Sequence, residues 1–305
     1  MTQPNAQNRF VLGTAQIGMA YGAMNQRRMR ADGQSLIAKA IELGVTILDT
    51  AQAYGDSETV LGELVAHLEH GKFDVISKID PGIDARQRDR VLAAAKKSAT
   101  RLGGPLYGLM YHDAGIAHYW RDGPGDGLRQ ARDAGHCRKI GISTYSLDQF
   151  ARAAAEPDID IIQAPFNVLD RRLEKDRLVE TALDRGCEIH FRSLFLQGLL
   201  IADQGSIPAR LSFVRPWIQK LAGLCDKYSL SREEVAIGYV RQRYPDARLV
   251  VGCDDVAQLV RNFSLIKRPA LPQDLMSRIE GLEIPPDSVV NPTLWPTENE
   301  CRPCS

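Results

Sequence analysis

Side chains with complementary chemistry follow three apolar runs that are consecutive along the chain. Asp49 ends the first of these runs, and Tyr54 comes five residues later. Lys78 directly follows the next run, and His112 comes two residues after the end of the run beyond it. If the runs are parallel strands, their carboxyl ends meet at one edge of the sheet, so the carboxylate, phenol, ammonium and imidazole would face a common cleft.

This set of groups could polarise a carbonyl and protonate its oxygen. A phenol is a poor acid at neutral pH, and we expect the ammonium of Lys78 to lower the pKa of Tyr54. Asp49 would keep Lys78 charged and fixed, while His112 would hydrogen-bond a substrate oxygen. Such an arrangement suits the reduction of a carbonyl by a hydride. Because no side chain carries a hydride, a bound cofactor must supply it.

Each of the four residues also has an ordinary structural explanation. An aspartate after a strand is often a turn residue, and a lysine at a strand end can extend its ammonium to water. A loop tyrosine can simply pack, and a histidine can be a hydrogen-bonded core residue. Four complementary groups at successive strand ends are much less expected by chance, and this favours the chemical interpretation.

Eight short apolar runs alternate with helical patterns along nearly the whole chain. They are rich in valine and isoleucine, as parallel strands buried on both faces should be. The runs cover residues 10–13, 45–49, 73–77, 106–110, 139–142, 159–162, 188–191 and 248–251. Eight strand–helix repeats predict an α/β protein with a (β/α)8 TIM barrel. A doubly wound open sheet is the alternative, and it is disfavoured because no G-x-G-x-x-G motif follows the first run.

Two segments interrupt this alternation. Residues 197–228 form an extra stretch between the seventh and eighth runs, and connections of that length tend to be functional. Residues 283–305 contain five prolines, so we predict no regular structure there. We therefore predict a barrel over residues 1–282 and an irregular C-terminal tail over 283–305. Among the helical patterns, residues 173–185 form one continuous helix, and Ser231 with Glu234 forms a capping-box sequence before another.

Composition excludes several other classes of protein. The 305 residues include 38 basic and 38 acidic side chains, for a formal net charge of zero, which argues against partners such as nucleic acid or an anionic membrane. No apolar run is long enough to cross a membrane. The polar start and the scattered cysteines lead us to expect a cytoplasmic location. Cys301 and Cys304 form one potential ligand pair without a second, so we expect no metal site.

Taken together, the motifs resemble those of the aldo-keto reductases over about residues 10–262. The similar segments are DTAQAYG at 49–55, SE and LG between 57 and 62, SK at 77–78, YH at 111–112, IGIS at 140–143, Gln163 with PFN at 165–167, and LQGLL at 196–200. The opening GTAQIGMAYG, residues 13–22, resembles a bacterial subgroup of the family. Some relatives in that subgroup act in sugar or polysaccharide chemistry, and others are redox-sensing regulators.

The resemblance implies a barrel that binds NAD(P)(H) in extended form across its top. It makes Tyr54 the general acid, Asp49 and Lys78 its tuning pair, and His112 the orienting group. Ser143 and Gln163 would hydrogen-bond the nicotinamide carboxamide, Gly198 and Leu199 would lie against the pyrophosphate, and Gly252 would border the adenosine end. The full implied set for the cofactor is Gly13, Thr14, Ser143, Thr144, Gln163, Arg192, Ser193, Leu194, Gln197, Gly198, Leu199, Gly252, Gln258 and Asn262.

The sequence departs from the family pattern at three places. Thr144 stands where the family has asparagine. Arg192 stands where a tyrosine usually stacks on nicotinamide, and its charge would disfavour the cationic, oxidised ring, which predicts tighter binding of NAD(P)H than of NAD(P)+. Near the adenosine end, Asp254 and Asp255 would repel a 2′-phosphate, which favours NADH over NADPH. Cations close in sequence could reverse that preference: Arg261, Lys267 and Arg268.

The function predicted from these residues is the reduction of an aldehyde, ketone or sugar carbonyl with NAD(P)H. A sugar 1-dehydrogenase would use the same groups in the opposite direction. The alternative of another class is an NADH-binding regulatory protein with this fold, which would act through protein partners. For substrate contact we single out four residues in loops around the predicted cleft: Met19, Tyr21, Trp120 and Trp295.

Overall fold

Eight parallel strands form a closed barrel in which β8 returns to pair with β1. The computed structural model describes residues 9–19, 22–23, 32–66 and 73–296. The strands are β1 (Phe10–Gly13), β2 (Ile47–Asp49), β3 (Asp74–Ile79), β4 (Leu106–Tyr111), β5 (Cys137–Ser143), β6 (Ile161–Pro165), β7 (Glu188–Arg192) and β8 (Arg248–Gly252). Each predicted run overlaps one of these strands, and the predicted (β/α)8 barrel is confirmed.

Helices connect the strands on the outside of the barrel. They are α1 (Ala15–Gly18), α2 (Gly33–Leu43), α3 (Ser57–Ala66), α4 (Arg88–Arg101), α5 (Pro124–Asp133), α6 (Leu147–Ala155), α7 (Leu178–Asp184), α8 (Arg215–Lys227), α9 (Arg232–Arg243), α10 (Val256–Ile266), α11 (Gln273–Glu280) and α12 (Asp287–Val290). The capping box before α9 is present, because Ser231 Oγ accepts from the Glu234 N–H at 3.1 Å and Glu234 Oε2 accepts from the Ser231 N–H at 2.9 Å.

The continuous helix predicted over residues 173–185 is wrong. A 3₁₀ segment, Arg172–Arg177, comes first, and α7 begins only at Leu178. Asp176 and Arg177 have φ values of 59° and 52°. That left-handed conformation cannot continue a right-handed helix, so the chain turns at these two residues.

Two layers of apolar side chains fill the protein. The larger layer lies between the outer face of the barrel and the helices. The smaller one fills the barrel interior and consists of Val11, Ile47, Ile76, Met110, Ile161 and Val250. Gly108 belongs to the same interior, since a Cβ at this position would lie 2.6 Å from Ile161 Cδ1. The barrel is therefore a packed core, and a ligand must bind at its end.

The extra stretch between β7 and β8 contains short helical turns followed by α8. Its 3₁₀ turns are Leu196–Ile201, Gln204–Ser206 and Ala209–Val214. Arg210 Nη1 donates to the carbonyl of Pro296 at 3.2 Å. The extra stretch therefore contacts the last described residues of the C-terminal segment.

The expectation that residues 283–305 lack regular structure needs correction. Asp287–Val290 forms a turn of α-helix, and Pro292–Leu294 forms a 3₁₀ turn. Trp295 is buried and donates from Nε1 to the Val289 carbonyl at 3.2 Å. Local hydrogen bonds that a proline leaves available are enough for these single turns. Cys301 and Cys304 lie outside the described residues. Within the described ranges, no helix is long and apolar enough to cross a membrane.

Candidate active site

The ends of β2, β3 and β4 bring the four predicted catalytic residues together. Lys78 Nζ lies 2.6 Å from Asp49 Oδ1 and 5.2 Å from the centre of the Tyr54 ring. The rings of Tyr54 and His112 meet edge to face, with their centroids 5.5 Å apart. One phenol is thus bordered by a buried ion pair on one side and an imidazole on the other.

Asp49 and Lys78 form a buried ion pair with further hydrogen bonds. Lys78 is fully buried and also donates to the Thr50 carbonyl at 2.9 Å. The second oxygen of Asp49, Oδ2, accepts from Gln163 Nε2 at 2.8 Å. These bonds fix both charged groups and set the orientation of the Gln163 amide, whose oxygen is left to accept from a ligand.

The surroundings of Tyr54 raise the pKa of its phenol above the ordinary value. Burial is the main cause, and the negative charge of Asp49 adds to it. The net shift is therefore opposite to the lowering that Lys78 alone was expected to cause. Arg192 is the cation that acts in the lowering direction. Tyr54 consequently keeps its proton at neutral pH, as a proton donor requires.

His112 is uncharged at neutral pH. Burial, together with the positive charges of Lys78 and Arg192, lowers the pKa of its imidazole to about 4. Its Nδ1 atom is buried and has no hydrogen-bond partner within the described part of the chain. A neutral imidazole can donate a hydrogen bond to a substrate oxygen but cannot serve as a strong acid.

A cleft crosses the carboxyl end of the barrel from Tyr54 to α10. The predicted cofactor residues that line it are Gly13, Thr14, Gln163, Arg192, Ser193, Leu194, Gln197, Gly198, Gly252, Gln258 and Asn262. Gly13 and Gly252 are paired in register at the tops of β1 and β8. A Cβ at Gly252 would lie 2.4 Å from the Gln16 amide, so glycine at this position leaves room for the Gln16 side chain in the cleft.

The turn after β7 forms one wall of the cleft with unusual backbone geometry. Ser193, Leu196, Gln197 and Gly198 have φ values of 60°, 47°, 53° and 92°. Such positive φ values carry strain in residues other than glycine, and strain of this kind clusters at ligand-binding turns. The family resemblance implies a pyrophosphate at this turn, and the exposed backbone of its residues in the cleft fits such a group.

Arg192 lies at the same end of the cleft as Tyr54. Its guanidinium carbon is 4.2 Å from the centre of the Tyr145 ring. Nη2 donates to the Thr144 carbonyl at 3.0 Å, and Nη1 donates to Ser193 Oγ at 3.3 Å. In the described part of the chain, Arg192 has no carboxylate as a salt-bridge partner. Its positive charge therefore remains uncompensated beside the cleft.

The far end of the cleft contains two carboxylates. Glu233 and Asp254 line it together with Arg261 and Gln258. Gln258 Nε2 donates to Asp254 Oδ2 at 3.1 Å, and Gln258 Oε1 accepts from the Asp254 N–H at 3.1 Å. Sequence reasoning missed Glu233, which stands in the first turn of α9, because nothing in the sequence indicates that this helix start turns toward the cleft.

Several predicted site residues lie elsewhere. Leu199 is fully buried in the core, and Thr144 is buried with its N–H bonded to the Gln163 carbonyl at 2.8 Å. Ser143 pairs with Gln163 at the top of β5 and does not line the cleft itself. Met19 is exposed beside Gly55. Tyr21 lies outside the described residues.

Trp120 and Trp295 do not line the cleft, and the expectation that they contact substrate needs correction. Trp120 is buried, packs edge to face on Tyr111 and donates to Asp158 Oδ1 at 3.1 Å. Trp295 bonds within its own segment, as described above. Both indole N–H groups are satisfied by the protein, which makes the two residues part of the packing. Cleft residues that sequence reasoning did not assign include Ala15, Gln16, Gly22, Phe195, Ile201, Val250 and Val251.

A model of the aldo/keto reductase family matches residues 9–284. This chain belongs to the aldo-keto reductase family. It is 29% identical over 185 residues to the aldo-keto reductase YhdN of Bacillus subtilis. This match covers 56% of this chain and 54% of that protein. It is 26% identical over 179 residues to the methylglyoxal reductase DkgB of Salmonella typhi. This match covers 55% of this chain and 63% of that protein. The chain thus matches somewhat more than half the length of these two relatives.

Solved structures of aldo-keto reductases share the barrel. The structure of a glycerol dehydrogenase from Gluconobacter oxydans superposes with a TM-score of 0.69 at 22% identity. The match covers 89% of this chain and 90% of that one. At this level of identity the similarity shows a shared fold only. The chemistry of this aldo-keto reductase depends on its own side chains.

Proposed function

We propose that this aldo-keto reductase reduces the carbonyl group of an aldehyde, ketone or sugar, with NADH as the preferred cofactor and Tyr54 as the general acid. The observation that carries the proposal is the grouping of Asp49, Tyr54, Lys78 and His112 beside a cleft that Asp49 and Tyr54 line. A protein that only sensed a nicotinamide would not need all four groups. When bound, the cofactor supplies the hydride.

The protein's own residues would hold the substrate and move one proton. His112, which is neutral, donates a hydrogen bond to the carbonyl oxygen and orients it toward Tyr54. As negative charge develops on that oxygen, the phenol of Tyr54 gives it a proton. Lys78 stays fixed by Asp49 at 2.6 Å and limits the movement of the phenol through its position beside the ring.

Charged side chains at the far end of the cleft support a preference for NADH. Glu233 and Asp254 line the adenosine end and would repel a 2′-phosphate, which supports NADH over NADPH. Arg261 lies at the same end and weakens this repulsion. The Gln163 amide, oriented by Asp49, would accept from the carboxamide of the nicotinamide. The backbone of the turn from Ser193 to Gly198 would follow the pyrophosphate.

The direct test is steady-state oxidation of NADH and of NADPH with a panel of aldehydes, ketones and sugars. We expect turnover with NADH and a lower kcat/KM with NADPH. Tyr54→Phe should lower kcat by about 10²–10⁴-fold, the usual contribution of a general acid, while leaving the Kd for NADH unchanged. Full activity of Tyr54→Phe would contradict the assigned acid. Tight NADH binding without turnover, together with capture of a partner protein, would favour the regulatory alternative.

A further inference from the structure

The turn that carries Tyr54 is fastened to the end of β3 through Gln52. This residue lies between the end of β2 and Tyr54. Its backbone N–H donates to the Lys78 carbonyl at 3.1 Å, and its side-chain Oε1 atom accepts from the Asp80 N–H at 2.9 Å. One residue of the turn is therefore bonded to the strand at Lys78 and again just beyond the strand end.

The nitrogen of the same side-chain amide reaches α4. Gln52 Nε2 donates to the Ala94 carbonyl at 3.1 Å and to Ser98 Oγ at 2.8 Å. The partners fix which way the amide points, because the Ala94 carbonyl can only accept and the Asp80 N–H can only donate. Both N–H groups and the oxygen of the amide are thus used. Gln52 joins three parts of the fold at one point, namely the Tyr54 turn, the end of β3 and α4.

A buried carboxylate anchors this amide. Ser98 accepts from Gln52 and donates its own hydrogen to Glu58 Oε1 at 2.7 Å. The same oxygen accepts from the Ser77 hydroxyl at 2.6 Å, and Arg101 donates to Glu58 Oε2 at 3.2 Å. Glu58 is buried in the first turn of α3. A buried network in which each of these donors has an acceptor holds its members in one arrangement.

Gln52 itself lies outside the cleft. It does not line the cleft as Tyr54 does, and its side chain is bonded toward α4. It can therefore act on a reaction only through the residues that it holds. The Tyr54 N–H donates to the Ala51 carbonyl at 3.0 Å and closes a tight turn that contains Gln52. A shift of Gln52 would move the phenol relative to Lys78, whose Nζ atom is 5.2 Å from the ring centre.

We propose that Gln52 is a positioning residue of the carbonyl reduction, whose amide holds the Tyr54 turn against the end of β3 and so fixes the phenol relative to Lys78 and His112. The inference rests on the proposed function. Proton transfer needs the donor and acceptor atoms about 2.6–3.2 Å apart, and a displacement of about 1 Å can lower a rate on the order of 10²-fold. Loss of the Gln52 amide should therefore lower kcat and leave cofactor affinity unchanged.

The test compares Gln52→Met with the wild type in the NADH-dependent reduction of a carbonyl substrate. Methionine has a similar length but lacks the N–H donors and the oxygen of the amide. We expect kcat to fall by about 10- to 100-fold, while the Kd for NADH, measured by protein fluorescence, stays at the wild-type value. A crystal structure of the variant should show the Tyr54 ring displaced from its 5.2 Å distance to Lys78 Nζ, and this readout needs no turnover.

Gln52→Glu gives a second readout, through pH. A protonated carboxyl can accept from the Asp80 N–H and donate to Ser98, whereas an ionised one has no hydrogen to donate and faces the Ala94 carbonyl. Partial burial raises the pKa of a carboxyl at this position, and the Glu58 carboxylate beyond Ser98 adds to the effect. The kcat of Gln52→Glu relative to the wild type should therefore be higher at about pH 6 than at about pH 9. A side chain that only helped to pack α4 would not make this ratio depend on pH.

The matched control is Gln242→Met on α9. The Gln242 amide also bonds to backbone at both ends, accepting from the Leu271 N–H at 2.8 Å and donating to the Leu271 carbonyl at 3.4 Å. Its kcat should equal that of the wild type. A wild-type kcat in Gln52→Met, or an equal fall of kcat in Gln242→Met, would overturn the inference. If the wild type turns over no carbonyl, the proposed function fails, and an unmoved Tyr54 ring in the crystal structure of Gln52→Met then decides separately against the positioning role.

Discussion

The two oxygens of the Asp49 carboxylate have different partners. Oδ1 holds Lys78 at 2.6 Å, and Oδ2 accepts from Gln163 at 2.8 Å. Lys78 borders the Tyr54 ring, and Gln163 is the residue proposed to bind the nicotinamide carboxamide. One buried carboxylate therefore fixes both groups, and under the proposed function we expect loss of Asp49 to disturb cofactor binding and proton transfer together.

Arg192 also leads to a prediction about the redox state of the cofactor. Because a guanidinium repels the cationic nicotinamide of NAD+, we expect the protein to bind NADH more tightly than NAD+. Arg192→Tyr, which removes the charge and supplies an aromatic ring, should narrow the ratio of the two Kd values. Isothermal titration calorimetry with each form of the cofactor measures this ratio. An unchanged ratio would contradict the prediction. The control is Arg152→Met, which removes an exposed arginine paired with Asp148 on α6.

Residue types at strand ends were enough to predict which four side chains meet, but not their electrostatics. The net shift in the pKa of Tyr54 depends on how deeply the phenol is buried and on which charges surround it, and spacing along the chain determines neither. The burial of Trp120 could not be predicted from spacing along the chain either. It follows His112 by only eight residues, but the loop turns back over β4 and buries the indole against Tyr111.

Close packing of α3 against α4 depends on one glycine. A Cβ at Gly62 would lie 1.8 Å from the Arg101 carbonyl oxygen. We therefore expect Gly62→Ala to lower the free energy of unfolding by about 2 kcal/mol, because the two helices must separate. Unfolding in urea followed by circular dichroism measures the change.

The matched control for this substitution is Gly223→Ala in α8. Gly223 is exposed, and a Cβ there would meet nothing within 4 Å. Since alanine is the better helix former, this variant should gain about 0.5–1 kcal/mol. If Gly62→Ala, like the control, were no less stable than the wild type, close contact between α3 and α4 would not require glycine at position 62.

At the level of elements, hydrophobic pattern predicted every strand but not every break. Most of the runs in β1 to β8 are predominantly apolar and rich in valine and isoleucine, which makes their signal strong. The turn at Asp176 and Arg177 carries no glycine or proline, so the sequence gives no reason to end a helix there. The turns of α12 and of Pro292–Leu294 need only local hydrogen bonds, and a count of prolines does not exclude single turns of this kind.

The end of the barrel opposite the cleft is closed by ionisable side chains. Glu188 forms ion pairs with Lys139 and Arg248 and accepts a hydrogen bond from Tyr107. Above it on the same strand lies His190, fully buried, with Nε2 3.2 Å from Glu188 Oε2. Glu188, His190 and Arg192 alternate along β7, so one face of this strand carries three ionisable groups.

Two buried histidines should make the whole protein less stable in mild acid. Burial lowers the pKa values of both His112 and His190 in the folded state, whereas in the unfolded chain they titrate near 6.5. Below about pH 6.5 the unfolded state therefore binds more protons, and stability falls as the pH decreases toward the folded-state pKa values.

The drop in Tm between pH 7.5 and pH 5.5 should be smaller by a few degrees in His190→Gln than in the wild type. His118→Gln, which changes an exposed histidine, should keep the wild-type drop. An identical drop in the wild type and in His190→Gln would show that protonation of His190 does not limit stability in this range.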